Sequence, residues 1–280
     1  PPAAAAPPRT VAQAAPAVQT APRALAQDAP AAAAAPERLA AATAQDHVIT
    51  SPCGYTGKPL GGDASPSSLE GTSRWVARRL TAPDERDRAY SAFLRALVSW
   101  GVLEAVAPSG SLRVSVPFCH EFFEAPILMP FLAEQLLTKA GGPESMEISG
   151  CDISAQPFWW QAWEEWAHHT FGSRGKLQLR QQDLAAAPPP GPPADLILGV
   201  HPEATRGAPW QSILDNVLSA RAPGAVCVFA TFYAQEAEAV VRMCSSPGAV
   251  CEVRESPYYA GQPANAIGTY LRYAVIVRPQ

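Results

Sequence analysis

Three patterns are missing from this chain of 280 residues, and each absence removes a class of protein. The 21 basic and 25 acidic residues give a net charge of −4 without a basic run, so we expect no nucleic-acid partner. No apolar stretch approaches the about 18 residues that a membrane span needs, so no transmembrane segment is predicted. The six cysteines form no CxxC pair. This spacing disfavours a zinc ribbon or a small disulfide scaffold, and we predict reduced thiols and no metal site.

Glycine and aromatic residues are missing from residues 1–46, where 21 Ala and 8 Pro dominate. Such a stretch cannot bury a core of its own, and Ala-Pro tracts adopt extended conformations. We predict an arm or linker, which is either a disordered tail or a segment that becomes ordered on a protein partner. The chain begins Pro-Pro without an initiator Met. This start indicates a processed or a trimmed chain. With the Ala-rich leader it suggests a protein of an organelle, a plastid or a mitochondrion equally, with the cytoplasm as the alternative.

The rest of the chain indicates one folded unit with a helical preface. Helical patterns at 67–80 and 84–102 predict a loop and helical extension over residues 47–110. In residues 111–280, short apolar runs alternate with helical stretches, which predicts an α/β fold with a doubly wound, mostly parallel sheet covered on both faces. The last two strands are joined by a loop too short for a crossover helix, so they should pair as an antiparallel hairpin at one edge. The predicted strands are 112–118, 145–154, 176–184, 194–200, 224–232, 249–255 and 269–278, and the predicted helices between them are 124–140, 155–170, 209–221 and 234–245.

Polar side chains lie at the ends of the second and third predicted strands. The sequence GCDIS places Asp152 at the end of the second strand, where a carboxylate can accept hydrogen bonds from two ribose hydroxyls. Alternatively, Asp152 or Ser154 caps the helix that follows. The sequence RQQDL ends the third strand. Its candidate binding residues are the polar Gln182 and Asp183 and the apolar Leu184.

The turn after the first strand has the sequence VPFCHEFFEAP, and no glycine occurs between Gly110 and Gly141. With this turn and the two strand ends in this order and spacing, residues 110–280 resemble the class I S-adenosylmethionine-dependent methyltransferases. The core of that family is a seven-stranded Rossmann-like sheet whose last strand is reversed. The resemblance implies S-adenosylmethionine as the cofactor, bound at the carboxyl ends of the first three strands.

The resemblance also implies roles for individual residues. Asp152, with Ile153 beside it, would bind the cofactor ribose. Gln182 and Asp183 would meet the adenine amino group, and Leu184 would pack on the ring.

The glycine-free turn is similar to the variant of the first motif found in thiopurine methyltransferases. Pro117, Cys119 and Glu124 match that variant together with Phe118. His120 stands where the variant has glycine, and Glu121 stands where it has lysine. The resemblance implies that this turn binds the methionine part of the cofactor.

The turn after the fourth strand contains His201 and Glu203. In the family this turn faces the transferred methyl group, so the resemblance implies that His201 acts as a general base and that Glu203 assists it. Histidine has an unperturbed pKa near 6.5, which suits it to this task. The alternative is a polar turn with a purely structural role.

The helix predicted at 155–170 carries four tryptophans. Trp159, Trp163 and Trp166 share one helical face and should form a core stripe. Trp160 points about 100° away from Trp159, so we predict an exposed Trp160 face. This face and the 1–46 arm are the predicted contacts with a protein partner.

Two functions follow from these patterns. The first is a methyltransferase whose acceptor, a small molecule or a protein, is unknown. The second is a catalytically inactive methyltransferase-like fold that serves as a structural or interaction subunit of a larger assembly, possibly in an organelle. The glycine-free turn, the Trp-rich helix and the Ala-Pro arm support the second.

Overall fold

The computed structural model describes residues 68–81, 84–106, 108, 110–246, 248–261 and 271–280. The predicted 1–46 arm and the first part of the 47–110 extension lie outside these residues. None of the described helices is long and apolar enough to cross a membrane. The helices are α1 (Leu69–Thr81), α2 (Glu85–Ser99), α3 (Ala125–Leu132, continued by a π-helical turn Ala133–Leu137), α4 (Pro157–Phe171), α5 (Trp210–Ser219) and α6 (Ala234–Cys244). The strands are β1 (Ser111–Pro117), β2 (Ser145–Asp152), β3 (Gly175–Gln181), β4 (Ala194–Val200), β5 (Arg221–Thr231), β6 (Ala249–Glu255) and β7 (Tyr273–Pro279).

The seven strands form one sheet in the order β3-β2-β1-β4-β5-β7-β6. Strands β1 to β5 pair in parallel, whereas β7 runs antiparallel to both β5 and β6. The predicted C-terminal hairpin is therefore confirmed, with β6 at the edge and β7 inserted beside β5. This is the doubly wound sheet with a reversed last strand that the family resemblance implies.

Two hydrophobic cores lie on opposite faces of the sheet. The first core contains Leu196 and Val228 of the central strands and packs against α2, α3 and α4. The second core contains the alternate residues Ile197 and Phe229 and packs against α5 and α6. Strands β4, β5 and β7 are thus apolar on both sides, as expected for buried parallel strands.

As expected, helices cover both faces of the sheet, although one face of β2 and β3 is polar and partly exposed. Residues 182–193, all of them described, contain no helix between β3 and β4. Burial therefore alternates along β2 and β3, with one apolar face in the first core and one polar face that includes Glu147, Lys176 and Gln178. The physical reason is the proline-rich run at 188–193, because proline lacks the N–H that a helix interior requires.

The N-terminal helices pack on the helical layer of the first core. Asp84 and Asp87 form a capping box that starts α2, in which each carboxylate accepts the backbone N–H of the other residue. On α1, the Trp75 ring meets Trp159 of α4 edge-on at 4.6 Å and lies 5.2 Å from the Phe123 ring, between centroids. The helical extension is thereby attached to the segment that follows β1.

We expect Gly199→Ala to lower the free energy of unfolding by about 1–3 kcal/mol through overpacking. A methyl group at residue 199 would lie 2.7 Å from Phe229 Cδ1 and 3.3 Å from Phe118 Cε2. Chemical denaturation measures the loss. Combining Gly199→Ala with Phe229→Leu should cost less than the sum of the two single losses, because the smaller side chain relieves the clash. Strictly additive losses would contradict this account.

Candidate functional site

The strand order reverses direction between β1 and β4, which are neighbours in the sheet. In open α/β sheets, ligands bind outside the carboxyl ends of the strands at such a switch point. Residues 118–122 follow β1 and residues 201–203 follow β4, so these two turns flank the candidate crevice.

The turn after β1 adopts left-handed backbone conformations without any glycine. The φ angles are 62° at Phe118, 43° at His120 and 54° at Phe122. Such a conformation costs a residue with a side chain on the order of 1–2 kcal/mol. Phe122 is fully buried in the first core, whereas Phe118 packs against the second core. The turn therefore has the backbone shape that glycine would permit, and its two outer rings fix it to both layers.

Asp152 at the end of β2 is tied to this turn. Its Oδ2 accepts the His120 backbone N–H (3.1 Å), and its Oδ1 accepts the Ser154 backbone N–H (3.0 Å). Hydrogen bonds to an ionised acceptor are about twice as strong as neutral ones. The alternative role as a helix cap does not occur, because Gln156 occupies the N-cap position of α4 and no side chain caps it.

The other predicted residues of the first turn are buried or half-buried. Pro117 and Cys119 are buried. The Cys119 N–H donates to the Cys151 carbonyl oxygen (3.1 Å), and burial raises the pKa of the Cys119 thiol well above its usual value. The backbone carbonyl of Glu124 accepts the N–H of Leu128 (2.9 Å) at the start of α3. This half-buried residue therefore lies at the junction of the turn and the helix.

The His120 side chain is exposed at the turn after β1. The side chain is 55% exposed, and its Nδ1 contacts Glu121 Oε2. Partial desolvation lowers the pKa of His120, and the negative charge of Asp152 opposes that shift.

The residues predicted at the end of β3 separate into two groups. Gln182 is half-buried and Asp183 is exposed, and the Gln182 N–H donates to the Asp152 carbonyl oxygen (2.8 Å). Leu184 instead lies in the second core. The exposed apolar residue beside Asp152 is Ile153, which is 65% exposed.

His201 is held rigidly at the end of β4. Its φ is 66°, and its N–H donates to the Ala230 carbonyl oxygen (2.8 Å). Its imidazole meets the Phe232 ring edge-on at 4.5 Å between centroids. The buried Nε2 atom has no hydrogen-bond partner among the described residues. Burial lowers the pKa of His201 to about 4, so the ring is neutral at pH 7.

The carboxylates near His201 serve other contacts. Glu203 Oε2 forms an ion pair with Arg206 Nη1 at 2.8 Å. Glu236 is buried, and its Oε2 accepts the N–H groups of Phe232 (3.1 Å) and Tyr233 (3.3 Å), which fixes the Phe232 ring against His201. Burial raises the pKa of Glu236. Sequence reasoning did not identify Glu236, because the N-cap residue three positions before it is Tyr233, which is not a residue type that marks a capping box.

The predicted exposed Trp160 face is wrong. Trp160 is only 6% exposed, because α4 packs between β3 and α1 and because the turn after β1 lies over this side of the helix. Trp160 Nε1 donates to the His120 carbonyl oxygen (2.6 Å), and Trp163 Nε1 donates to the Glu121 carbonyl oxygen (2.9 Å). Sequence reasoning missed both contacts; the i, i+3 spacing of the two tryptophans was the available signal.

In the described part of the chain, no group of three or more His, Cys, Asp or Glu side chains is placed to hold a metal ion. The adjacent His168 and His169 rings lie 6.0 Å apart between centroids and are both exposed at the end of α4. The absence of a metal site stays a prediction for the whole chain.

The strand order and the single reversed strand define the fold as the Rossmann-like fold of the class I methyltransferases. No protein-family model matches the chain, and no curated protein matches its sequence significantly.

Several solved structures are similar to it. Magnesium protoporphyrin IX methyltransferase from Synechocystis, with bound SAM, has a TM-score of 0.46 and 11% identity, covering 80% of this chain and 89% of that chain. A TehB-like SAM-dependent methyltransferase from Corynebacterium glutamicum has a TM-score of 0.43 and 16% identity, covering 77% and 100%. The N-methyltransferase NodS from Bradyrhizobium japonicum, in complex with S-adenosyl-L-homocysteine, has a TM-score of 0.42 and 16% identity, covering 74% and 98%. These similarities are remote, and the fold class rests on the sheet of this chain itself.

We expect His201 to make stability depend on pH. An unfolded histidine has a pKa near 6.5, so between about pH 6.5 and pH 4 the unfolded chain binds more protons at this position than the folded chain. The free energy of unfolding should therefore fall as the pH falls through this window. We expect the free energy of unfolding to fall by about 2 kcal/mol in this window. This is less than the lowered pKa would give for a fully buried ring, because the His201 ring is partly exposed.

The matched variant is His201→Asn, because asparagine tolerates a positive φ and does not titrate in this range. Denaturation of both proteins at pH 7 and pH 4 measures the effect. The stability difference, wild type minus variant, should decrease at pH 4. An equal difference at both pH values would show that the His201 pKa is not lowered.

Proposed function

We propose that the chain is an S-adenosylmethionine-dependent methyltransferase that acts on a small molecule or a protein. The observation that supports this most is the glycine-like backbone of the 118–122 turn, joined by His120 to the Asp152 carboxylate. A turn with these left-handed residues directs its peptide groups toward the switch point and its side chains away from it. A ligand bound there can then approach the backbone closely, as it does at a glycine. The likeness to the thiopurine-methyltransferase variant of this motif is part of the proposal.

The residues of the crevice fit a nucleoside cofactor. A carboxylate offers about four acceptor positions, and the contacts with His120 and Ser154 use two at Asp152. Asp152 can therefore also accept both ribose hydroxyls. Ile153 offers an exposed apolar surface for the adenine ring. Asp183 can accept the adenine amino group, although its Oδ1 already accepts the Ala185 N–H (2.9 Å).

When bound, S-adenosylmethionine supplies a methyl group that is open to in-line displacement. The chain contributes mainly by positioning the reactants, and a general base is needed only for a weakly acidic acceptor. His201 is the proposed base, since it is neutral at pH 7 and its Nε2 has no hydrogen-bond partner among the described residues. Its lowered pKa makes it a weaker base than an ordinary histidine, and the buried Nε2 must become accessible when an acceptor hydroxyl or amine binds. Glu203 would orient this turn through its ion pair with Arg206.

Binding of the demethylated product, S-adenosylhomocysteine, to the full chain tests the proposal. We expect calorimetry to give a Kd below about 1 mM. Asp152→Ala should weaken binding by about tenfold or more, because hydrogen bonds to a charged group are lost. Asp195→Ala is the matched control. Asp195 Oδ2 also accepts a backbone N–H, from Arg113 (2.9 Å), but it lies at the start of β4, at the opposite end of the sheet.

The control should leave the affinity unchanged even if it lowers the melting temperature. Kd values above about 1 mM for both S-adenosylmethionine and its product, with no effect of Asp152→Ala, would contradict the proposal. That result would favour the alternative function, a methyltransferase-like fold that serves as a noncatalytic subunit.

A further inference from the structure

The backbone of His120 is fixed on both sides of its α-carbon. Its N–H donates to Asp152 Oδ2 (3.1 Å), and its carbonyl oxygen accepts Trp160 Nε1–H (2.6 Å). The left-handed residue His120 (φ 43°) therefore lies between two peptide groups, and partners on β2 and α4 set the orientations of those groups. The imidazole, more than half exposed, contributes little packing of its own.

The peptide group between Glu121 and Phe122 is fixed in the same way. Its carbonyl oxygen accepts Trp163 Nε1–H (2.9 Å), and its N–H donates to the Cys119 carbonyl oxygen (2.6 Å). The Phe122 carbonyl oxygen then accepts the Ala125 N–H (3.1 Å). Phe122, the third left-handed residue of the turn, is thus held by α4 on one side and by the turn itself on the other.

An indole N–H can only donate, and a buried donor left without an acceptor is costly. Trp160 and Trp163 are both buried, so the two carbonyl oxygens of the turn satisfy the helix while the helix orients the turn. Trp159 and Trp166 of the same helix differ. They make ring contacts with Trp75, Phe123, Trp163 and Phe171, and their indole nitrogens donate no hydrogen bond within the described residues.

We propose that Trp160 and Trp163 are positioning residues that hold the 118–122 turn in the conformation glycine would otherwise provide. This role rests on the proposed function, since the turn is the part of the crevice assigned to the methionine end of the cofactor. The two indoles act through the peptide groups of His120 and Glu121 and do not touch the cofactor themselves.

The test uses Trp160→Phe and Trp163→Phe, which keep an aromatic ring and remove the N–H. Trp166→Phe is the matched control on the same helix. The first readout is amide hydrogen exchange in the free protein, which needs no cofactor. We expect exchange about five- to tenfold faster at His120 in Trp160→Phe and at Phe122 in Trp163→Phe, after correction for global stability. The control should leave both rates unchanged.

The second readout is the affinity for S-adenosylhomocysteine. Trp160→Phe and Trp163→Phe (the clamp variants) should each bind about five- to tenfold more weakly than the wild type, whereas Trp166→Phe should bind like the wild type. In a His120→Gly background the left-handed conformation no longer opposes a side chain, so Trp160→Phe should then cost less than about threefold. If Trp160 had only a structural role, Trp160→Phe would weaken binding equally in the wild type and in the His120→Gly variant.

The possible failures are distinguishable. If the wild type binds the product but the clamp variants exchange and bind like Trp166→Phe, the positioning role is overturned alone. Faster exchange with unchanged affinity also overturns it, because the clamp would then serve stability only. If the wild type does not bind at all, the proposed function fails, and the cofactor-directed role of the two tryptophans fails with it.

Discussion

The hydrogen bond from the His120 N–H to the Asp152 carboxylate is the contact on which the crevice depends. Strands β1 and β2 are parallel neighbours, so their carboxyl ends lie side by side, and an acidic residue at one end can reach the turn at the other. A charge-assisted bond of this kind is stronger than a neutral one. It places a negative charge and a left-handed turn in a fixed relation within the protein, before any ligand binds.

The uneven covering of the sheet explains where this rigidity comes from. Strands β4 and β5 lie between two apolar layers, whereas β2 and β3 have one core face and one mostly polar face. The switch point falls at the boundary between these halves. The turn after β1 crosses that boundary, because Phe118 contacts the Trp210 ring on the α5 side (5.2 Å between centroids) and Phe122 lies in the opposite core.

Local patterns predicted most of the fold, and contacts between distant segments explain what they missed. The strands and the final hairpin follow from apolar runs and loop lengths, and the placement of Asp152 at a strand end follows from the same runs. The helical wheel predicted an exposed Trp160 because it contains no information about α1 or about the turn that covers this side of α4. The burial of Leu184 in the second core depends on α5, for the same reason.

The absence of glycine therefore changes the rigidity of the 118–122 turn more than its shape. Glycine adopts a positive φ at no steric cost, but it also leaves the turn free to sample other conformations. A turn of larger residues adopts the same φ only when neighbouring groups hold each peptide, as Asp152, Trp160 and Trp163 do here. Such a turn costs folding energy and narrows its own range of conformations. Because binding must otherwise order a flexible loop, part of that cost is recovered when a ligand meets a turn already in place.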